Sequence, residues 1–157
     1  MQKLSIIVPI YNELESLPEL LDELSSVLRN GYEYEIICVD DGSTDGSAQF
    51  IRDQALQNEH VVSLRFLKNS GKSNALNAGF DKASGDYVIT MDADLQDDPS
   101  EIPNLITELE KGYDLISGWK KKRHDPISKR FPSKMFNLVT RLITGVKIHD
   151  FNCGLKI

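Results

Sequence analysis

The sequence has few residues that could cross-link the chain or bind a transition metal. Of its 157 residues, two are cysteine, three are histidine and one is tryptophan. Cys38 lies inside the apolar run 36–39, which indicates a buried and reduced thiol. With Cys153 it provides neither a disulfide framework nor a metal-binding spacing. A reducing, cytoplasmic setting is therefore expected.

Long apolar runs are also missing. No stretch approaches the ~20 residues that a membrane-spanning helix needs. The short apolar run 4–10 is followed by Asn12 and Glu13, which is not the pattern of a signal peptide. We therefore expect that this stretch of chain neither crosses a membrane nor carries an export signal.

Basic residues are in the minority. The chain has 18 Lys and Arg against 24 Asp and Glu, a net charge of -6, which argues against a general nucleic-acid binder. The segment 120–134 nevertheless carries seven Lys or Arg and one Asp, so the remaining residues sum to -12. This basic segment indicates an anionic partner, and the alternative is a solvated loop and helix face.

Short apolar runs alternate with amphipathic stretches along the chain. The runs 4–10, 35–39, 61–66, 87–91 and 115–117 predict five strands, too continuously apolar to be half-exposed. Periodic apolar residues between them, and again over 131–142, predict five helices. The alternation predicts an α/β domain over 1–157 with a Rossmann-like, mainly parallel sheet. In such a sheet ligands bind at the carboxyl ends of the strands, where the polar clusters of this chain fall.

The first polar cluster, at 9–13, follows the first strand. Pro9 can end the strand, Tyr11 offers a flat face to a nucleobase, and Glu13 offers an acceptor. A simple strand-to-helix turn is the alternative.

The second cluster, at 39–47, contains the adjacent carboxylates Asp40 and Asp41, which repel each other unless a ligand or partner uses them. Asp40 is favoured over Asp41 and Ser43 as a ligand contact. Ser43 and Asp45 could instead be helix N-caps.

The third cluster, at 91–98, follows the strand 87–91. Alternate residues after a strand point the same way, so Asp92 and Asp94 are expected to converge on one point. Two hard oxygen ligands beside a diphosphate suit Mg²⁺ or Mn²⁺. A polar turn before a Pro-initiated helix explains Asp97 and Asp98, but it explains Asp92 poorly.

The segment 68–75 contains Gly-Lys-Ser, yet it is not a P-loop, because no glycine stands at the upstream position that the motif requires. The segment opens a helix instead, and its backbone N–H groups could help to hold an anion.

These clusters together resemble the family-2 glycosyltransferases of the GT-A fold, and within them the polyprenyl-phosphate sugar transferases. The matching pieces are PIYNE at 9–13, VDDGSTDGS at 39–47, NSGKSNALNAG at 69–79, DADLQDDP at 92–99 and HDFNCGLK at 149–156. Five pieces in the right order make the resemblance specific, and it extends over essentially the whole chain.

The resemblance implies a role for individual residues. Pro9, Tyr11, Glu13 and Asp40 would hold the nucleoside of a UDP- or GDP-sugar. Asp92 and Asp94 would bind the divalent ion, Mg²⁺ or Mn²⁺, on the diphosphate, with Gln96 as a further ligand. Asp150 would be the acidic residue near the acceptor, although its flank at 151–154 differs from the pattern of the mannose-transferring members of this group. The full set of donor-binding candidates is Pro9, Tyr11, Asn12, Glu13, Asp40, Asp41, Lys72, Asp92, Ala93, Asp94, Gln96, Lys120 and Arg123.

The implied reaction is inverting transfer of the sugar to an acceptor, a polyprenyl phosphate at the cytoplasmic face of a membrane or, alternatively, a saccharide. A phosphate acceptor is already ionised at pH 7, so Asp150 could position it rather than deprotonate it. Three other classes are alternatives. A receiver domain carries its paired carboxylates after the first strand, and a phosphatase of this kind carries its Asp-x-Asp nucleophile early in the chain. The third is a donor-binding protein without turnover.

The chain ends at 155–157, a few residues after Asp150, with an apolar sequence. Family members continue into further elements and membrane helices, so we expect a fragment with a donor half at 1–118 and a partial acceptor region at 119–157. Membrane association would come from the missing region. Exposed apolar surface at the truncation predicts a possible homo-oligomer.

Overall fold

The structure is a computed structural model that describes residues 2–29, 31–118 and 153–157. Four parallel strands form one sheet in the order β3-β2-β1-β4. Their bounds are Lys3–Ile10 for β1, Glu33–Asp40 for β2, Val61–Arg65 for β3 and Tyr87–Thr90 for β4. A receiver domain has the strand order 2-1-3-4-5, so this topology excludes that alternative.

In the described part of the chain, four helices connect and cover the strands. They are α1 at Leu17–Leu28, α2 at Ser47–Gln57, α3 at Lys72–Lys82 and α4 at Ile102–Leu109. A 3-10 turn at Pro99–Glu101 leads into α4, and Asp98 caps it by accepting a hydrogen bond from the Ser100 N–H. The apolar periodicity predicted these four helices. The fifth predicted helix, over 131–142, lies outside the described residues.

Helices cover both faces of the sheet, and successive strand residues point to opposite faces. Ile6 and Val8 of β1 pack with α1, α2 and α4, whereas Ile7 packs on the other face with Ala75 of α3. Gly79 brings α3 against Ile7, where a Cβ would collide with that side chain. This close approach places the first turn of α3 beside the carboxyl ends of β1 and β2.

The apolar period that predicts α3 identifies its buried face only in part. Phe80 belongs to that period, yet half of its surface is exposed, and the fully buried residues of the helix are Ala75 and Gly79. Two small residues allow the closer packing that a phenyl ring would prevent.

The predicted strand at 115–117 is also wrong. Leu115 is half exposed, and only Ser117 forms a bridge, which is antiparallel and made with Lys156. Ile116 exchanges two backbone hydrogen bonds with Ile157, at 2.8 and 3.0 Å. The segment therefore pairs with residues 153–157 rather than extending the parallel sheet.

The sequence-based expectation for Cys38 is confirmed. The thiol is buried in β2, and that burial raises its pKa to about 12, so it stays protonated. Within the part of the chain that the structure describes, no helix combines the length and apolar character of a bilayer-spanning segment.

Candidate active site

A pocket of about 310 Å³ opens where β1, β2 and β4 end. Backbone hydrogen bonds keep these strand ends in register: the Asp41 N–H donates to Ile10 and the Met91 N–H donates to Ile7. The polar loops after the three strands therefore meet at one place, as the sheet topology predicts. The lining residues are Pro9, Ile10, Tyr11, Glu13, Asp41, Asn69, Gly71, Lys72, Asp92, Ala93 and Asp94.

The loop after β4 brings the expected pair of carboxylates to this pocket. Asp92 and Asp94 both line it, separated by the buried Ala93. Leu95 follows with a φ of 57°, and the Gln96 N–H donates to Oδ1 of Asp94 at 3.1 Å. This left-handed turn sends the chain away from the pocket. Gln96 consequently lines a different cavity, on the side of α4.

Lys72 reaches the same carboxylate pair from α3. Its Nζ atom donates to Oδ1 of Asp92 at 2.5 Å. The lysine therefore supplies a positive charge at the position where the predicted metal ion would contact Asp92.

Asp41 organises the loop that precedes Lys72. Its two oxygens accept from the N–H groups of Ser70, at 2.7 Å, and Gly71, at 2.8 Å. Because Gly71 is the N-cap of α3, these bonds fix the start of the helix and with it the backbone of Lys72. One carboxylate thus lines the pocket and positions a second pocket residue.

Asp40 lies beneath the pocket rather than in its lining. It is 1% exposed, and its Oδ1 accepts from the Ser43 N–H at 3.1 Å. Among the described residues its Oδ2 has no hydrogen-bond partner, and it lies 3.5 Å from Nε of Arg65, a long ion-pair contact. Of the two adjacent carboxylates, the structure brings Asp41 to the pocket, although the sequence favoured Asp40.

The residues at 9–13 divide into pocket and loop roles. Pro9, Tyr11 and Glu13 line the pocket, and half of the Tyr11 surface is exposed. Asn12 does not line it: with a φ of 57°, Asn12 accepts from the Thr44 N–H at 2.8 Å and donates its own N–H to Ser43. Asn12 therefore ties the loop after β1 to the loop after β2.

Asp45 stabilises the same junction. It accepts from the N–H and hydroxyl of Ser47 and from the N–H of Leu14. Burial acts to raise the pKa of Asp45, but these hydrogen bonds outweigh it and leave the pKa lowered. The N-cap of α2 is Gly46, not Ser43 or Asp45.

The donor set fits a hard divalent cation that shares its coordination with a ligand. Asp92 and Asp94 offer carboxylate oxygens, which Mg²⁺ and Mn²⁺ accept together with water and substrate phosphates. Within residues 2–29, 31–118 and 153–157, no group of three or more His, Cys, Asp or Glu side chains could hold a metal on its own.

Some pocket residues were missing from the sequence-based set, and some predicted residues cannot be placed. Asn69 and Gly71 line the pocket, and their motif NSGKSNALNAG was the available signal. Gly154, within HDFNCGLK, was also missed: it lies so close to Asp92 that a Cβ added there would meet the Asp92 carboxylate. Lys120, Arg123 and Asp150 lie outside the described residues.

Comparisons with known proteins agree with this architecture. A family model described as "Glycosyl transferase family 2" matches residues 5–156. An undecaprenyl-phosphate 4-deoxy-4-formamido-L-arabinose transferase from Pseudomonas fluorescens (strain SBW25) is 45% identical over 154 residues, 97% of this chain and 45% of that protein. The chain thus spans about half the length of the curated relatives it matches.

Two solved structures are similar in fold. The mannosyltransferase PcManGT from Pyrobaculum calidifontis, in complex with GDP-Man and Mn²⁺, has a TM-score of 0.64 and 27% identity, covering 76% of this chain and 36% of that one. TarS from S. aureus, residues 1–349 in complex with UDP-GlcNAc, has a TM-score of 0.63 and 25% identity, covering 79% of this chain and 37% of that one.

Proposed function

The chain belongs to glycosyl transferase family 2, and we propose that its pocket binds the nucleoside diphosphate of a UDP- or GDP-sugar through a divalent ion on Asp92 and Asp94. The observation that carries this proposal is the convergence of both carboxylates with Tyr11 and Lys72 around one pocket. Relatives support it, since PcManGT was crystallised with GDP-Man and Mn²⁺ and TarS with UDP-GlcNAc.

Each pocket residue has a distinct task in this proposal. Tyr11 stacks on the base, and Glu13 accepts hydrogen bonds from the nucleoside. Asp41 keeps the first turn of α3 in place, and Lys72 contributes positive charge to the diphosphate. A divalent ion bound by Asp92 and Asp94 would supply Lewis-acid stabilisation of the departing nucleoside diphosphate.

We propose a polyprenyl phosphate as the acceptor, as in the reaction that the name of the 45%-identical relative describes. Its phosphate oxygen is ionised at neutral pH and attacks the anomeric carbon opposite the departing diphosphate, so the configuration inverts. Asp150 and the basic segment 120–134 are proposed to receive the acceptor phosphate. The site would work at the cytoplasmic face of a membrane.

The donor proposal is tested by calorimetry with UDP and GDP, in Mn²⁺ and in excess EDTA. We expect one of the two nucleotides to bind in Mn²⁺ and to lose that binding in EDTA, with ADP as a control for general nucleotide affinity. If neither UDP nor GDP binds in the presence of Mn²⁺, the proposed donor site is wrong.

The acceptor proposal is tested with vesicles that contain either polyprenyl phosphate or the uncharged polyprenol. Preferential binding to the phosphate-bearing vesicles is expected, because the two lipids differ only in the group that the basic segment would recognise. Equal binding to both would contradict the polyprenyl-phosphate acceptor and favour the saccharide alternative.

A further inference from the structure

Hydrogen bonds hold residues 153–157 against the end of β4, just before the loop that contains Asp92 and Asp94. Thr90 and Lys156 exchange backbone hydrogen bonds at 2.9 and 3.1 Å, and the Thr90 hydroxyl donates to the carbonyl oxygen of Gly154 at 2.7 Å. Gly154 is buried in this arrangement. The glycine is therefore held at a fixed place next to the loop that contains Asp92.

The space around Gly154 is closed by carboxylates. A Cβ atom at this position would lie 2.6 Å from Cγ and 2.7 Å from Oδ2 of Asp92, and 2.6 Å from Oδ2 of Asp97. These three nearest atoms belong to two side chains, and none belongs to the backbone. The φ of Gly154 lies outside the left-handed region, so the backbone itself would accept alanine.

The two aspartates around Gly154 are linked through the Asp92 backbone, and the Asp92 carboxylate is also linked to Lys72. Oδ1 of Asp92 accepts from Lys72, and Oδ2 of Asp97 receives the Asp92 N–H at 3.3 Å. The Asp92 carboxylate is thus bounded by Lys72 on one oxygen and by Gly154 next to the other. A side chain at 154 would have to displace one or both carboxylates.

We infer that Gly154 is a positioning residue, whose missing side chain sets where the Asp92 carboxylate stands for the divalent ion of the donor site. This inference rests on the proposed function and deepens it. Gly154 lies 62 positions from Asp92 along the chain. In this inference residues 153–157 help to build the donor site, although the sequence assigns them to the partial acceptor region at 119–157.

A purely structural role for Gly154 makes a different prediction. If the glycine only allowed the segment to pack, an added methyl group would lower stability and leave ion binding in the folded molecules unchanged. Because the atoms in its way are the ends of side chains, we expect the opposite: the carboxylates move, the fold persists, and ion binding is lost.

The test compares the wild type, Gly154→Ala and Gly118→Ala. Gly118 is the matched control, because a Cβ there would lie 3.0 Å from Sγ of Cys153 and 3.2 Å from the Leu155 carbonyl oxygen. It therefore strains the same segment without reaching a carboxylate. Mn²⁺ binding is measured by electron paramagnetic resonance with and without UDP or GDP, and urea unfolding is measured in parallel.

We expect Gly154→Ala to weaken Mn²⁺ binding by about 10–100-fold, the usual effect of disturbing groups that orient a metal ligand. Gly118→Ala should bind Mn²⁺ like the wild type. In the Asp92→Asn background, Gly154→Ala should add little further loss, because its effect passes through Asp92. A full additional loss in that background, or equal Mn²⁺ binding by Gly154→Ala and the wild type, would overturn the inference.

Two further readouts separate this inference from the proposed function. Failure of the wild type to bind Mn²⁺ with either nucleotide would overturn the proposed function, and a crystal structure of Gly154→Ala would then decide the inference. A displaced Asp92 carboxylate supports it, and an unmoved one refutes it. If Gly154→Ala does not fold, folding restored by adding Asp92→Ala would identify the Asp92 carboxylate as the obstacle, whereas continued failure would overturn the inference.

Discussion

The Nζ atom of Lys72 lies 2.5 Å from Oδ1 of Asp92, and this ion pair joins the first turn of α3 to the loop after β4. Both side chains are partly exposed, at 54% for Lys72 and 27% for Asp92, so solvent screens the pair and it contributes little to stability. Its importance in the proposed donor site is positional, because the ammonium group would compete with a divalent ion for the same carboxylate oxygen.

Replacing Lys72 should therefore affect ion and nucleotide binding in opposite directions. For Lys72→Met we expect tighter Mn²⁺ binding without nucleotide, because a competing positive charge is gone, and weaker UDP or GDP binding in saturating Mn²⁺. Mn²⁺ titration followed by calorimetry measures both. Lys72→Arg, which keeps the charge, is the control, and a Lys72→Met variant with both affinities unchanged would contradict the shared-oxygen interpretation.

Of the two proposed metal ligands, Asp94 is the one whose replacement should disturb the fold less. It is exposed, and its one described hydrogen bond, from the Gln96 N–H, would also be accepted by an amide oxygen. We expect Asp94→Asn to weaken Mn²⁺-dependent binding of UDP or GDP by at least about tenfold, since disturbing even the groups that support a metal ligand has that effect.

The control for Asp94→Asn is Asp81→Asn, an exposed aspartate on α3 whose described contact is a 3.4 Å bond from Asn77. It changes the net charge equally but far from the pocket lining. Thermal unfolding of both variants should match the wild type. Unaltered nucleotide affinity of Asp94→Asn in Mn²⁺ would mean that Asp94 is not a metal ligand.

Local periodicity was sufficient to predict most of the fold but not its closing segment. Leu17, Leu20, Leu21 and Leu24 recur at helical spacing, which predicts a helix, and all four are buried in α1. By contrast, the predicted strand at 115–117 has too few residues to carry a period. Its pairing with residues 153–157 depends on a long-range contact that no local pattern reveals.

The site was predictable in the same uneven way. Parallel strands guarantee that the loops after β1, β2 and β4 meet, so the pocket could be placed from the sequence. Which of Asp40 and Asp41 lines the pocket could not be predicted. Successive residues point in different directions, and only the three-dimensional sheet decides which of the two points to the pocket. Gln96 lines a different cavity for a related reason, since the left-handed turn at Leu95 redirects the chain after Asp94.

Gly42 should be among the least replaceable glycines for stability. Its φ is 76°, and a Cβ would lie 2.6 Å from the backbone nitrogen of Asn69 and 2.6 Å from the carbonyl carbon of Lys68. Both obstacles are backbone atoms of the loop that Asp41 anchors, so neither can rotate away. Gly42→Ala should lower the free energy of unfolding by roughly 1–3 kcal/mol, measured with urea.

Gly31→Ala serves as the comparison for Gly42→Ala, because a Cβ at Gly31 would meet no atom within 4 Å and its φ is outside the left-handed region. Its stability should equal or slightly exceed that of the wild type, since alanine restricts the unfolded chain. Equal stability of Gly42→Ala and Gly31→Ala would show that the loop after β3 yields easily.

Glu35 should make stability depend on acid pH, far from the pocket. Its Oε1 accepts from the hydroxyl of Ser5 at 2.6 Å and from the N–H and hydroxyl of Ser84 at 2.8 and 2.9 Å, and Lys3 lies 3.6 Å from Oε2. Burial acts to raise the pKa of Glu35, but the hydrogen bonds from Ser5 and Ser84 and the charge of Lys3 leave it below its usual value of 4.5.

The sign of the effect follows from that lowered pKa. In the unfolded chain Glu35 titrates near 4.5, so below that pH the unfolded state binds the extra proton first. The stabilisation by Glu35 is therefore complete above the unfolded pKa and is lost as the pH falls through the lower, folded pKa.

Glu35→Gln, which cannot ionise, should be less stable than the wild type near neutral pH, and the difference should close in acid. Urea unfolding of both proteins from pH about 7 to about 3 measures this, and the other carboxylates, including Asp45, cancel because both proteins contain them. Two stability curves that stay parallel over this range would mean that the hydrogen bonds at Glu35 do not favour its charged form.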